Sequence, residues 1–524
     1  MMRIQDSIVG QTPSDVAEKR LRNVIDFAPD NATARSDLGL LLATSGHLDE
    51  AEQCLRKAVL LDADTIAFQF NLANFLAASH RDEDREEAKS LFLAVIKSEP
   101  QHLEAWNNLG TLLFETGYTS AANTAFAAVI AFHPDQTVGH VNLANIRLQM
   151  DQLDVAEKHY QIALDLAPDL VDAHRGLANI YRKRGNEEKA CYHCDKGFAN
   201  HHVVTLPHRG RSKPAQLLVL SSALDGNTPW RLLIDSMVFE TTFVAVEYVD
   251  SQFVLPAHQL VFNAIGDADL CPNGLEIANR LIQGSNAPII NHPRAVQQSG
   301  RLMNARRLAA LKGVTTPHID LISKADCHSG RMAEMLAHKE LTPPFLLRAP
   351  GFHGGNHFVR VDSRDELSNA VDAMPGENVF VIEYLDAHSE DSLFRKYRIM
   401  SIDGSFYPVH MAISTQWKVH YFSSDMEKDD DYRKEEEAFL NDYSTYLGAD
   451  AVSALQKIAD TQKLDYFGMD FGIDKQNGNI LLYEANSTMI ISPPTHDKRW
   501  DYRRTAIGNA LGAGRKMFAE KVLV

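Results

Sequence analysis

An internal repeat of about 34 residues constrains the fold of this chain more than any other feature. A leucine followed by a small residue recurs five times, and the small residues are separated by 34, 37, 34 and 34 positions. The small residues are Gly39, Ala73, Gly110, Ala144 and Ala178, and prolines close successive units at Pro100, Pro134 and Pro168. Small residues where two helices touch, with a proline where the second helix ends, predict stacked helix pairs with a concave face.

This pattern resembles the tetratricopeptide repeat, and its best copy is Trp106-Asn-Asn-Leu109-Gly110. The resemblance implies an all-α helical-repeat solenoid of five units and a leading half unit, which binds a peptide or protein partner. An array that only dimerises or braces the rest of the chain is the alternative. Recurring asparagines on the first helices are candidate peptide contacts, because an amide both donates and accepts hydrogen bonds. Helix caps or inter-repeat bonds would explain them equally well. They are Asn71, Asn74, Asn107, Asn108, Asn142, Asn145 and Asn179.

The periodicity changes after the repeats, which indicates a multidomain protein. We predict an N-terminal tail over 1–14, the repeat array over 15–203, a basic linker with two prolines over 204–215, an α/β lobe over 216–298 and a further domain over 299–524.

Short apolar runs in the α/β lobe predict buried parallel strands. These runs are Leu217–Ser221, Phe243–Tyr248 and Leu260–Ile265, and the segment Trp230–Phe239 between two of them is predicted to be helical.

Near the C-terminus, two apolar runs flank Asn477-Gly478, which is a strong hairpin signal. Asp470 and Glu484 are equidistant from the turn, so they should face each other across the hairpin. Two adjacent carboxylates repel unless a cation lies between them. Asn486 shares a face with Glu484, and these hard oxygen ligands suit Mg²⁺. Gly468 and Gly472 lie two residues before and two residues after Asp470, on the same face of the strand. They predict open space for a ligand there.

Asp470 and the triplet Glu484-Ala-Asn486 resemble the metal motif of ATP-grasp ligases. The resemblance implies an α/β pre-ATP-grasp lobe followed by an α+β ATP-grasp fold, with ATP and Mg²⁺ as cofactors. It also implies a ligase that phosphorylates a carboxylate to an acyl phosphate, joins it to an amine and releases ADP, with a peptide or protein held by the repeats as a candidate substrate. The alternative is a degenerate nucleotide-binding scaffold whose repeats mediate protein–protein interaction.

A glycine-rich loop between two predicted strands lies upstream of the hairpin. Gly351, Gly354 and Gly355 permit backbone amides to approach phosphates closely. The resemblance implies that this loop covers the ATP phosphates. Arg348 stands where the family carries a lysine, and arginine can hold a phosphate with two parallel hydrogen bonds.

The resemblance implies three further groups of ATP-site residues. Glu383, Tyr384 and Leu385 end a predicted buried strand and would form the hinge that receives adenine and ribose. Arg301 would be an additional ATP contact, with Arg306 and Arg307 as alternatives.

A second predicted hairpin carries the candidate catalytic arginines, Arg398 and Arg395, one of which would stabilise charge as phosphate leaves. Analogy with the ribosomal-protein glutamate ligases favours Arg398. Strict side-chain alternation instead places Arg398 on the apolar face of Val409 and places Arg395 with His410, which favours Arg395. A solvated basic strand remains the plain alternative.

Charge and composition limit the classes of partner. The formal net charge is −17, which argues against nucleic acid, because a basic surface supplies most of that affinity. The sequence shows neither an apolar run of about 18 residues nor a secretory signal, so we expect no membrane partner and a cytoplasmic location. Five cysteines do not predict a disulfide framework.

Overall fold

The structure is a computed structural model that describes residues 13–79, 81–210, 213–328, 342–351, 355, 357–419, 421, 424–495 and 497–522. The chain forms two compact units. Unit 1 comprises Met1–Leu177, Pro207–Pro214 and Ser236–Val238, and unit 2 comprises Ala178–Leu206, Ala215–Asp235 and Phe239–Val524.

Eleven helices occupy the described residues between Pro13 and Phe198. They are α1 (Pro13–Phe27), α2 (Ala32–Thr44), α3 (Leu48–Leu61), α4 (Ile66–Ala77), α5 (Asp82–Ser98), α6 (Leu103–Glu115), α7 (Thr119–Phe132), α8 (Thr137–Gln149), α9 (Leu153–Leu166), α10 (Val171–Lys183) and α11 (Glu187–Phe198). Helices α1–α9 lie in unit 1, and α10 spans the boundary between the units.

In two of the repeats a glycine is required where the two helices of the pair touch. A Cβ atom on Gly39 would lie 2.7 Å from Leu55 Cγ, and one on Gly110 would lie 2.6 Å from Phe126 Cε1. Real Cβ atoms do not approach other carbon atoms so closely, since interiors are already close-packed. The predicted helix-pair repeat is therefore confirmed at the level of its packing.

The recurring asparagines bond to neighbouring repeats. Three amides each donate from Nδ2 to the preceding unit: Asn71 to Ser36 at 3.0 Å, Asn108 to Asn74 at 2.8 Å and Asn142 to Asn107 at 2.8 Å. Asn145 accepts a hydrogen bond from the Tyr160 hydroxyl at 2.5 Å. Inter-repeat bonding therefore accounts for the bonds of Asn71, Asn108 and Asn142, which form an amide ladder along the array. Asn145 bonds within its own helix pair, and Asn179 donates to Asp225.

A histidine pair lies within unit 1, in which His140 is buried and His159 is half-buried. His140 on α8 and His159 on α9 place their Nδ1 atoms 3.1 Å apart. Such a bond requires one nitrogen to donate and the other to accept, so it is lost when both rings are protonated. Burial first, and the positive charges of His140, Lys158 and Arg147 next, hold the pKa of His159 below its usual range.

Acidification from about pH 7 to about pH 5 is expected to destabilise this part of unit 1. The unfolded chain protonates His159 at an ordinary pKa of about 6.5, whereas the folded pKa is lower. The contribution of the neutral ring is therefore complete above the unfolded pKa and is lost as pH falls toward the folded pKa. Thermal unfolding midpoints at the two pH values should differ less for His159→Gln than for the wild type. An unchanged difference would show that the pair does not set acid sensitivity.

The described residues of unit 2 form three sheets. Its strands are β1 (Val203–Leu206), β2 (Ala215–Ser221), β3 (Phe239–Ala245), β4 (Leu260–Asn263), β5 (Ile289–Ile290), β6 (Val314–Thr315), β7 (Ile319–Ser323), β8 (Phe345–Arg348), β9 (Phe358–Val361), β10 (Asn378–Glu383), β11 (Phe394–Ile402), β12 (Ser405–Ser414), β13 (Tyr466–Ile473) and β14 (Ile480–Asn486). The first sheet has the order β1-β3-β2-β4-β5, the second β7-β10-β8-β9 and the third β12-β11-β13-β14-β6.

The helices of unit 2 that follow α11 pack around these sheets. They are α12 (Pro272–Leu281), α13 (Pro293–Gln297), α14 (Arg301–Leu308), α15 (Lys324–His328), α16 (Leu367–Asp372), α17 (Asp430–Asn441), α18 (Tyr443–Leu447), α19 (Ala449–Gln462) and α20 (Arg504–Val522). The largest buried apolar cluster joins residues of the first and third sheets with α12 and α19. In the described part of the chain, none of the helices combines the length and apolarity needed to cross a bilayer.

The α/β lobe confirms two of the predicted strands and corrects two other predictions. Strand β4 falls within the predicted run Leu260–Ile265, and β2 contains the predicted run Leu217–Ser221 but begins two residues earlier. Strand β2 pairs in parallel with both β3 and β4. The predicted helix at Trp230–Phe239 is wrong, because this segment forms turns. The third strand begins at Phe239, four residues before the predicted start, since Phe239 pairs with Ala215 and all seven residues of β2 find partners. Strand pairing overrides the local helical periodicity there. Residues 204–206 of the predicted linker form most of β1, which pairs with β3.

Candidate functional site

The hairpin β13–β14 brings the two predicted metal carboxylates together. Asp470 is the direct pairing partner of Glu484, as their distance from the turn predicts. This pairing depends on a bulge, because the register shifts between Asp470 and Phe471 and leaves Tyr483 as an extra residue on β14. Both carboxylates therefore share one face of the third sheet.

The glycines beside Asp470 do not leave the predicted open space. A Cβ atom on Gly468 would lie 2.5 Å from Met489 Sδ, and one on Gly472 would lie 2.4 Å from the Tyr483 hydroxyl oxygen. Neighbouring side chains already fill both positions. The prediction of a ligand space at these glycines is wrong, and the glycines instead permit close packing.

Arg398 binds the buried carboxylate of Asp470 through two hydrogen bonds. Its Nε donates to Oδ1 at 2.6 Å and its Nη2 donates to Oδ2 at 2.8 Å. Lys396, two residues earlier on β11, places Nζ 2.7 Å from the same Oδ2. Burial alone would raise the pKa of Asp470, but the charges of Arg398 and Lys396 together outweigh it and hold that pKa below its usual range.

A second bulge explains why Arg398 lies opposite His410 and not opposite Val409, while its direct pairing with Asp470 on β13 makes it face the carboxylates. The register of β11 against β12 shifts between Arg398 and Ile399, so Arg398 pairs with His410 and Val409 is the extra residue. The expectation from strict alternation is therefore wrong. Arg395 instead binds Asp391 and Glu435, with its Nη2–Asp391 Oδ2 contact at 2.8 Å and its Nε–Glu435 Oε1 contact at 2.6 Å.

Glu484 is bound by Arg301 from the first turn of α14. Arg301 Nη2 lies 2.6 Å from Glu484 Oε1, and the Arg301 backbone amide donates to Asp269 Oδ2 at 3.0 Å. Asn486 donates from Nδ2 to Glu484 at 2.8 Å, while its Oδ1 accepts from the backbone and hydroxyl of Thr488. The amide oxygen predicted to bind metal is therefore turned toward Thr488.

A cavity of about 210 Å³ is lined by strands of the second and third sheets. Most of the predicted site residues lie on its wall: Arg301, Arg348, Gly355, Glu383, Tyr384, Leu385, Arg395, Arg398, Asp470 and Glu484. Six of the lining side chains are basic and three are acidic, which leaves a formal excess of three positive charges. This excess stands out in a chain whose net charge is −17, and it favours an anionic ligand.

The glycine loop contributes to this wall through its described residues. Gly355 lies on the cavity with a φ of +81°, and its carbonyl oxygen accepts a hydrogen bond from Lys418 Nζ at 2.7 Å. Gly351 has a φ of +76° and lies beside Leu270, where a Cβ atom would be 3.3 Å from Leu270 Cδ1. Gly354 lies outside the described residues.

Arg348 brings a buried positive charge to the cavity. Its guanidinium lies 5.4 Å from the centre of the Phe358 ring. Burial first, and the nearby charge of Arg301 second, lower the pKa of Arg348 to about 10. Two cations held close together in a buried place favour an anion between them, since its charge offsets their repulsion.

The predicted hinge residues lie at the other end of the cavity. Glu383 Oε2 accepts a hydrogen bond from the His318 backbone amide at 2.9 Å, so its carboxylate also fixes the chain before β7. Tyr384 packs edge-on against Trp417, with ring centroids 6.2 Å apart, and Arg360 lies 4.6 Å above the Tyr384 ring. The hinge therefore borders a small aromatic cluster.

Several cavity residues have no assigned role from the sequence, and Lys396, Phe358 and Trp417 are among them. The sequence could have indicated Lys396 as a site residue, because it lies two residues before the candidate Arg398 and residues two apart on a strand share a face. Phe358 and Trp417 are brought within 5.7 Å, between ring centroids, from segments far apart in the chain. No spacing rule connects them.

Comparison with known proteins identifies the repeats. Residues 81–137 and 141–197 match one family model of the tetratricopeptide repeat, and residues 32–65 match another. No curated protein matches the chain. The matched segments cover all five predicted repeat pairs in whole or in part, and the tetratricopeptide assignment of the repeats is confirmed.

Several solved structures are similar to part of the chain. The MamA protein is 19% identical over 32% of this chain and 90% of its own, with a TM-score of 0.29. YrrB, described as a TPR protein with an unusual peptide-binding site, is 19% identical over 35% of this chain and 95% of its own, with a TM-score of 0.30. PilF of Pseudomonas aeruginosa is 16% identical over 36% of this chain and 84% of its own, with a TM-score of 0.32.

Proposed function

We propose that this protein binds a peptide or protein through its tetratricopeptide repeats and binds Mg·ATP in the cavity of unit 2. The repeats support the first part, because stacked helix pairs create an extended surface that such arrays use for recognition. The cation-rich cavity beside two adjacent carboxylates supports the second part. A nucleoside triphosphate combines the negative charge that the arginines favour with the magnesium ion that the carboxylates favour.

The donor set of the hairpin fits a magnesium ion in part. Asp470 and Glu484 are adjacent, ionisable oxygen donors on one face of the sheet, and hard cations of this kind prefer such oxygens. Asn486 would have to release Thr488 to add its amide oxygen. When bound, the ion would supply positive charge to the phosphates, and Arg301 and Arg348 would orient the same anion from the cavity wall.

A second candidate function is an ADP-forming ligase that joins a carboxylate to an amine. Arg398 and Lys396 favour it, because they concentrate positive charge beside Asp470 at the cavity wall. Such charge would stabilise the phosphate that departs as the amine nitrogen forms its bond to the acyl carbon. Without that turnover, the unit would serve as a nucleotide-binding scaffold attached to an interaction domain.

Calorimetric titration with ATP and Mg²⁺ tests the binding proposal. We expect Arg348→Met to weaken ATP binding by about 10- to 100-fold, because hydrogen bonds to charged groups contribute about 1.5–3 kcal/mol. Arg499→Met is the matched control, since Arg499 pairs with Asp497 on the surface. This variant should bind ATP like the wild type. Absence of ATP binding by the wild type would overturn the proposal.

Incubation with ATP, Mg²⁺ and an amino-acid library separates the two candidates. Release of ADP and phosphate that depends on an added acid and amine would support the ligase. ATP binding with no such release would favour the scaffold.

A further inference from the structure

The buried carboxylate of Asp470 carries one negative charge and is bound by two positive charges. Arg398 contacts both of its oxygens, and Lys396 adds a second full charge at Oδ2. The Asp470 side chain is only 3% exposed, so water screens these charges weakly. A divalent cation added to this arrangement would meet two positive charges for one carboxylate.

Lys396 is the cation that can leave most readily. Its ammonium makes one contact to Asp470, whereas the planar guanidinium of Arg398 makes two parallel contacts. The Lys396 side chain lies on the cavity wall and is 20% exposed. A flexible four-carbon stem lets its ammonium move into the cavity without movement of the strand.

We propose that Lys396 is a resident counter-ion that occupies Oδ2 of Asp470 and must leave it before a divalent cation binds there. The inference rests on the proposed function, because it concerns the same metal and nucleotide site. An entering polyphosphate attracts the displaced ammonium into the cavity. Nucleotide and metal therefore assist each other, and the metal alone binds weakly.

This exchange predicts a specific gain of function. Removal of the Lys396 charge leaves Asp470 paired with Arg398 alone and removes the competitor at Oδ2. We expect Lys396→Met to bind Mn²⁺, used as a probe for Mg²⁺, about tenfold more tightly than the wild type in the absence of nucleotide. We also expect ATP to enhance Mn²⁺ binding less in this variant than in the wild type, since coupling between two ligands is reciprocal and commonly about 5- to 150-fold.

The experiment measures free Mn²⁺ by electron paramagnetic resonance with the full-length chain, with and without ATP. Lys434→Met is the matched control, because Lys434 pairs with Asp431 on the surface. This variant should bind Mn²⁺ like the wild type. Thermal unfolding is measured for every variant, and Lys396→Gln provides a polar replacement of similar length if the methionine variant does not fold.

The outcomes separate this inference from the function on which it rests. Tighter nucleotide-free Mn²⁺ binding by the Lys396 variant supports the inference. ATP-dependent Mn²⁺ binding by the wild type, with no tightening in either Lys396 variant, overturns it and leaves the proposed function standing. Absence of Mn²⁺ binding by every variant even with ATP overturns both.

Discussion

Asp470→Asn is expected to lower the free energy of unfolding of unit 2 by about 3–5 kcal/mol, the range for removal of one partner from a buried ion pair. The variant keeps the shape of the side chain but leaves Arg398 and Lys396 close together without their shared counter-charge. The effect is large because the Asp470 side chain is almost fully buried between strands β11 and β14. Denaturant unfolding followed by hydrogen exchange in β13 measures the loss.

A double replacement serves as the control for this prediction. Asp470→Asn combined with Lys396→Met removes one of the two repelling cations and should recover part of the lost stability. Because the residues are in direct contact, their effects should not be additive. Equal stability of the single and double variants would show that repulsion between Arg398 and Lys396 is not the cause.

Tyr160→Ala is expected to destabilise the repeat array by about 3–5 kcal/mol, the usual cost of removing a large buried aromatic side chain. Tyr160 on α9 is fully buried, and a Cβ atom on Gly176 would lie 2.1 Å from its Cζ atom. The ring therefore fills the space that the glycine leaves. Its hydroxyl also donates to Asn145 on α8, so one side chain joins three successive helices.

The conservative replacement Tyr160→Phe isolates the hydroxyl. It removes one hydrogen bond and keeps the ring, so we expect a loss of about 0.5–1.5 kcal/mol. Hydrogen exchange should show the effect of Tyr160→Ala first in α8 and α9, because repeats contact mainly their neighbours. Unchanged exchange in these helices would contradict the proposed role of the ring.

Regular features of the chain could be predicted from the sequence, and local irregularities could not. The repeat period predicted that Gly110 lies where two helices touch, and Gly110 lies against Phe126 of the second helix of its pair. The turn at Asn477-Gly478 placed Asp470 opposite Glu484, although the hairpin needs a bulge to achieve it. The roles in ATP and metal binding stay predictions that the proposed experiments test.

The bulges explain the failures near the site. Alternation assumes an unbroken ladder, and one extra residue reverses the face of every residue beyond it. Val409 is such a residue, and it places His410 on the same face as Arg398, which strict alternation did not predict. No short-range pattern marks Val409 as the extra residue. The misplaced helix before Phe239 reflects long-range pairing, since every residue of β3 pairs with β2.

The amide ladder of the repeat array has a consequence for how its units can be rearranged. A helix pair moved to another position would present its asparagine to a neighbour that lacks the matching oxygen, as Asn142 requires Asn107 and Asn71 requires Ser36. A half-buried amide left without its partner costs free energy. The units of this array are therefore not interchangeable modules, because the side-chain bonds between them depend on their order along the chain.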